Sequence, residues 1–168
     1  MADTPVAGPS RGADIAALTI LVLLCLAAGG LGTVATEPNI ATWYAALNKP
    51  PFNPPDAAFP AAWTILYLLM AVAAWLAWRA PATDTAGRWT RLVPFFVQLV
   101  LNVAWSFAFF GAHNPLLGLA VIVLLIIAIL WTILSFRRIS APAAGLLAPY
   151  LLWVCFAAIL NAAIYLLN

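Results

Sequence analysis

The side chains best equipped for chemistry in this chain sit in an unusual setting: carboxamides and indoles embedded in long apolar runs. Gln98 and Asn102 are four residues apart, and Trp105 and Phe109 continue the same helical stripe. Tyr150, Trp153, Ala157 and Asn161 fall on one face by the same spacing, as do Trp63, Tyr67 and Met70. Deep inside these runs there is no Asp, Glu, Lys or His; the nearest charges, Asp14, Glu37, Arg79, Arg91 and Arg137, flank the ends. General acid–base catalysis and Ser–His–Asp chemistry therefore have no partners. No buried His is available as an axial haem ligand. Pumps and proton-coupled exporters keep ionisable groups at mid-membrane, and none is present. What remains suits a flat, largely apolar guest, stacked on rings and oriented by a few hydrogen bonds. The competing use of the same residues is structural, with amides bonding helices together and tryptophans anchoring the interface. Trp43, Trp78 and Trp89 fit the anchor role; Trp63, Trp105 and Trp153 share faces with polar groups and are expected to face a ligand.

The elements that must position these groups follow from composition. The 168-residue chain is 66% hydrophobic and 7% charged, far from the roughly 25% charge of a soluble globule. Its net charge of +2 is scattered, which speaks against a nucleic-acid partner. Cys25 and Cys155 lie inside apolar runs and read as small apolar fillers, with no metal site implied. Apolar runs near 20 residues long predict an all-α integral membrane protein with five spans, at 15–36, 59–79, 90–111, 115–136 and 142–167. Pro60, Pro115 and Pro142 stand in first turns, where a missing N–H costs nothing, and Asn114 and Ser140 precede two of them as candidate caps. The first run is too long for a signal-peptide core, and residues 1–14 are expected to form a disordered polar leader ahead of a single membrane domain, 15–168. Arg11, Arg79, Arg88, Arg91, Arg137 and Arg138 share one face, against Lys49 and His113 on the other. In a bacterial inner membrane that asymmetry puts the N-terminus in the cytoplasm.

Between the first two spans runs WYAALNKPPFNPPDAAFP, residues 43–60. Proline fixes φ and pushes its predecessor toward extended backbone, so this connection is expected to be stiff without helix or sheet from Glu37 to Asp56. So long a loop in a compact protein is expected to act as a lid, with Lys49, Pro50, Pro51, Phe52, Pro54 and Pro55 closing over the bundle. Topology places Trp63, Asn102, Trp105, Ala157 and Asn161 in the half of the membrane beneath it.

Four ordered motifs carry a resemblance. They are W-Y-x-x-L-x-K-P-x-x-x-P-P from Trp43, W-x-x-L-Y from Trp63, Q-x-x-x-N-x-x-W-S-x-x-F-F from Gln98, and P-Y-x-x-W-x-x-F-A-x-x-L-N from Pro149. The chain resembles the TspO/MBR family of tryptophan-rich sensory and translocator proteins over residues 15–168. The resemblance implies a five-helix bundle, often dimeric, with a tetrapyrrole and drug pocket beneath the first loop. It places Trp43, Trp63, Tyr67, Asn102, Trp105, Trp153 and Ala157 at that pocket; Gln98, Phe109, Tyr150 and Asn161 join them from the stripes above. Trp63 and Trp153 resemble the two tryptophans associated with light-dependent porphyrin breakdown in some bacterial members. Eukaryotic members are linked with cholesterol through a Tyr and a basic residue late in the fifth helix, but LNAAIYLLN has no Lys or Arg after Asn161. Gly29, Gly30 and Gly32 are expected to permit close helix contact, within the bundle or between protomers. The expected function is a membrane receptor or sensor for porphyrins of the protoporphyrin IX type, or for lipid-like molecules, with no required cofactor. A tetrapyrrole transporter and a porphyrin-degrading enzyme are the alternatives.

Overall fold

A computed structural model describes residues 8–82 and 85–168 of the chain. Residues 1–7 of the expected leader lie outside the described residues. Among those described there is no strand, and five helical stretches are long and apolar enough to cross a membrane: Arg11–Tyr44, Ala58–Arg79, Thr85–Gly111, Pro115–Arg137 and Ala141–Leu167. In hydrocarbon every backbone polar group must be satisfied internally, and helices do this within one segment. The protein is an integral, multi-pass membrane protein.

The first helix, α1 (Arg11–Asn39), begins four residues before the expected Ile15. Ser10 Oγ accepts from the Ala13 N–H at 3.3 Å, and Asp14 lies in the first turn, so the polar sequence caps the helix. Its far end departs further from expectation. Instead of breaking near Glu37, the chain stays helical through Pro38 and a π-helical turn, Ile40–Tyr44. Thr33, Thr36, Asn39 and Thr42 each donate to the carbonyl four residues back, at 2.8–3.1 Å. Those bonds keep short polar side chains compatible with a helix. The irregular connection is thereby reduced to residues 47–57.

The second span, α2 (Ala58–Arg79), packs on α1, and its small residues Ala71, Ala73, Ala74 and Ala77 are fully buried. Next come α3 (Thr85–Thr90) and α4 (Val93–Ser106), separated at Arg91 and Leu92 just before Pro94. A second π-helical turn, Phe107–Gly111, closes this span. The last elements are α5 (Pro115–Arg137), the short α6 (Ala141–Leu146) and α7 (Ala148–Leu167). Asn114 and Ser140 cap as expected, accepting from Leu117 N–H at 2.9 Å and Ala143 N–H at 3.4 Å.

Contacts arrange the spans in a ring: α1 lies between α2 and α4, α5 between α4 and α7, and α6 closes the ring onto α2. The fifth span thus meets α2 mainly through α6, at the arginine-bearing end. Toward the loop, α2 and α7 make little contact, and that is where space opens. The arginine-bearing end is tightly tied. Arg88 donates to the carbonyls of Trp78, Arg79 and Ala80, and Arg91 to those of Ala77, Ala80 and Pro81, at 3.1–3.3 Å. Cations on the orphan carbonyls of a helix C-terminus also complement its dipole. Arg79 pairs with Asp14 at 3.3 Å, tying the foot of α2 to the start of α1. Trp78, expected as an interface anchor, is instead buried against Trp89, their ring centroids 5.7 Å apart.

Candidate functional site

A cavity of about 560 Å³ occupies the loop-side half of the bundle, within the roughly 300–1,000 Å³ typical of small-molecule sites. Of the predicted residues, Trp63, Tyr67, Asn102, Trp105, Phe109, Trp153, Ala157 and Asn161 line it. The helical stripes do converge: α2 supplies Trp63 and Tyr67, the third span Asn102, Trp105 and Phe109, and α7 Trp153, Ala157 and Asn161.

The amides are committed to the protein. Tyr67 O–H donates to Asn102 Oδ1 at 2.6 Å, and Asn102 Nδ2 donates to Tyr150 Oη at 3.0 Å. This chain joins α2, α4 and α7 through three buried side chains. Nearer the loop, Trp105 Nε1 donates to Asn161 Oδ1 at 3.2 Å, and Asn161 Nδ2 donates to Pro115 O at 2.7 Å. Asn102 and Asn161 are therefore interhelical bonds first and cavity wall second. The indole N–H groups of Trp63 and Trp153 differ: among the described residues neither has a hydrogen-bond partner. Trp63 packs on Tyr67 at 5.5 Å and Tyr150 at 6.3 Å, while Trp153 meets Phe59 at 6.0 Å and Phe156 at 5.9 Å. Ring packing thus holds both indoles while leaving their polar edges unspent.

Close approach makes this wall possible. A Cβ at Gly29 would stand 2.8 Å from Tyr67 Cε2, so only glycine lets that ring lie against α1. A Cβ at Gly118 would stand 2.9 Å from Asn161 Oδ1 and 3.0 Å from Phe109. Of the other expected contact glycines, Gly32 approaches Ser106, whereas Gly30 has no neighbour within 4 Å.

The description of the TspO/MBR family matches residues 21–167. The chain belongs to this family. The Tryptophan-rich protein TspO of Chlorobaculum tepidum is 45% identical over 159 residues, 92% of this chain and 98% of that protein. The protein of the same name from Archaeoglobus fulgidus is 44% identical over 158 residues, covering 92% and 99%. The Translocator protein of Ovis aries is 38% identical over 135 residues, 79% of each chain.

Set on this TspO/MBR bundle, three predicted pocket residues fall elsewhere. Trp43 does not line the cavity; it stacks on His113 at 4.8 Å and meets Phe109 edge-on at 5.4 Å. Helical backbone through this segment points neighbouring side chains in different directions, and Tyr44, not Trp43, faces inward. His113 is the one described non-glycine residue with positive φ, at 50°, and its Nε2 lies 2.7 Å from Asn39 Oδ1. Tyr150 is fully buried behind Asn102 and Trp63. Gln98 is also buried away from the cavity, its amide without a partner among the described residues.

The loop residues Lys49, Pro50, Pro51, Phe52, Pro54 and Pro55 do not line the cavity either. Asn48 N–H donates to Asn168 Oδ1 at 2.9 Å, and Asn168 Nδ2 donates back to Asn48 O at 3.1 Å. Phe52 packs on Phe156 at 6.4 Å, and Tyr44 O–H donates to Asn53 Oδ1 at 2.8 Å. The TspO/MBR loop is thus fastened to the end of α7 and to Tyr44, and meets the cavity through Asp56, with Phe59 and Pro60 following in the first turn of α2. Sequence reasoning also missed the wall from α1, which includes Gly29, Thr33, Thr36, Glu37 and Ile40. The signal was present in the period-four run of Gly29, Thr33 and Glu37, obscured by reading the α1 end as loop.

Proposed function

We propose that this protein is a membrane receptor or sensor that takes a porphyrin-type tetrapyrrole, or a similar flat apolar molecule, into the loop-side cavity. The observation that carries the reading is the pair of indoles, Trp63 and Trp153, lining one cavity with unspent N–H groups. An aromatic face stacks on a planar ring, and a free indole N–H can orient that ring by hydrogen bonding. The names of relatives, tryptophan-rich sensory protein and translocator protein, support a receptor or sensor role in a membrane. Loop residues 47–57 act as a cover whose movement admits the ligand, and the arginine-bearing face is cytoplasmic.

Absorption titration with protoporphyrin IX tests the site. Saturable binding is expected, and Trp63→Phe combined with Trp153→Phe raises Kd about tenfold, the equivalent of about 1.4 kcal/mol. Unaltered affinity in the double variant would remove the assignment. Protein-dependent loss of the porphyrin band under light and air would mark a degradative enzyme, and flux into proteoliposomes a carrier.

A further inference from the structure

The chain's one histidine makes a contact on the loop-side rim that serves neither the bundle interior nor the cavity wall. His113 follows the end of the third span with φ 50°, a left-handed position where glycine is usual. A non-glycine residue held there stores backbone strain. Its ring lies on Trp43, with centroids 4.8 Å apart and planes 19° from parallel, and its Nε2 is 2.7 Å from Asn39 Oδ1. Asn39 fixes the tautomer. Its Nδ2 donates to Ala35 O at 2.8 Å, which turns Oδ1 toward the imidazole. An amide oxygen only accepts, so His113 Nε2 carries a proton and donates it to this bond. Nδ1 has no partner among the described residues, and His113 is exposed. A second proton can therefore enter from water at Nδ1 without breaking the bond to Asn39.

We infer that His113 is a proton-operated latch on the cavity cover: its imidazolium form grips the end of the first span more tightly than its neutral form and holds the cover shut. Proton uptake turns a neutral ring stack into a cation on an indole face. It also adds charge to the Nε2–H···Oδ1 bond, which shortens and strengthens such bonds. Trp43 is followed by Tyr44, and both rings pack on Phe109 and Phe110. Tyr44 lines the cavity, and its O–H holds Asn53 of the loop. A firmer grip on Trp43 thus steadies both the ring and the loop residue that close the cavity. The charged and titratable groups around this contact are few. Glu37 of α1 stands two residues from Asn39, about 200° round the helix, so it faces the cavity while Asn39 faces His113. Tyr44 spends its hydroxyl on Asn53, and Lys49 of the loop stands 4.7 Å from the Tyr44 ring centroid. Asp56 belongs to the cavity wall, Phe107–Gly111 carries no titratable group, and α5 carries none before Arg137. The extra grip is fullest where histidine is protonated and is lost as pH rises through its titration. The inference rests on the proposed ring-binding site and adds its regulation from the aqueous side.

The test compares the full chain with His113→Gln, which keeps a donor but takes no charge, and His113→Arg, a fixed planar cation. Both are measured in neutral detergent at about pH 5.5 and about pH 8, on either side of the range where histidine titrates. The probe is protoporphyrin IX dimethyl ester, whose masked carboxyls do not titrate. In the unaltered chain, stopped-flow dissociation is expected to be about two- to fivefold slower at the lower pH, the scale of one exposed cation–π contact. His113→Gln shows no such response, and His113→Arg dissociates slowly at both pH values. Hydrogen exchange of residues 40–53 without ligand reads the latch directly: the unaltered chain is more protected than His113→Gln, by a larger factor at the lower pH. Equal dissociation rates of the unaltered chain at the two pH values overturn the inference. So does a pH response that His113→Gln retains, or an exchange difference that pH does not change. In each case binding that depends on Trp63 and Trp153 leaves the ring-binding site standing. If the ester shows no binding dependent on those indoles, the site falls, and the exchange measurement alone decides the latch. Matching thermal unfolding curves verify that the variants are folded, and His113→Asn, which tolerates left-handed backbone, replaces His113→Gln if that variant is not.

Discussion

At the arginine-bearing end of the bundle, α2 presents alanines, and its last carbonyls are taken up by Arg88 and Arg91. At the loop-side end the same helix presents Phe59, Pro60, Trp63 and Tyr67, and the helices beside it stand apart around a cavity. Small side chains let backbones close up, while rings pack by their edges and leave room between them. Polar groups follow the same division. Those at the first end cap a helix, whereas those at the second either bridge helices, as Asn102 and Asn161 do, or stay unspent, as the indoles of Trp63 and Trp153 do. One end of the molecule is built for cohesion and the other for occupancy.

The largest test of that division is to overfill the closed end. Ala77→Leu inserts a branched side chain where α2 is fully buried, and it is expected to cost about 2 kcal/mol. Thermal unfolding in detergent reads the loss, and porphyrin affinity of the folded fraction stays unchanged. Should affinity fall in step with stability, the two ends are not separable. Next in size is Asn102→Leu, which orphans the buried hydroxyls of Tyr67 and Tyr150 at about 1.5 kcal/mol. Because this side chain is both bond and wall, stability and ligand affinity should decline together. Trp105→Phe removes a single indole bond to Asn161, and a shift of about 0.6 kcal/mol is expected by the same assay. Smallest is Asn168→Ala, which removes two of the three bonds holding Asn48 to the end of α7 and leaves Asn48 Nδ2 on Leu167 O. Unfolding should hardly move, while stopped-flow ligand dissociation quickens about two- to threefold, the scale of an exposed bond worth about 0.5 kcal/mol. An unchanged rate would mean that the clasp plays no part in covering the cavity.

Much of this molecule was legible before its shape was known. The observed starts at Ala58, Pro115 and Ala141 lie within a residue of those read from prolines and apolar length. Helix periodicity correctly grouped Trp63 with Tyr67, Asn102 with Trp105, and Trp153 with Asn161 on the faces that enclose the cavity. Errors gathered where local polarity was taken for a break. Glu37, Pro38 and Asn39 look like a loop, yet α1 stays helical through them, with Asn39 Nδ2 donating back to Ala35 O. That reading left Glu37 and Ile40 out of the cavity wall and made Trp43, not Tyr44, the expected inward ring. Trp78 was misplaced for a related reason: an indole at a span's end sits either at the interface or under a neighbouring Trp89 and Arg88, and the partner is far in space from any local cue.

Chain composition alone dictated membrane residence, helical backbone and five crossings, because unpaired peptide groups cannot be left in hydrocarbon and each helix satisfies its own. It also dictated which residues share a helical face, since that depends only on the 3.6-residue turn. Tertiary structure decided which polar groups remain available. Whether an amide bonds a guest or a neighbouring helix turns on how closely the helices approach, and that is set by remote contacts such as Gly118 against Asn161 and Gly29 against Tyr67. It likewise decided where the cavity lies, in the gap left when the fifth span closes onto α2 through α6 and stands off at the other end.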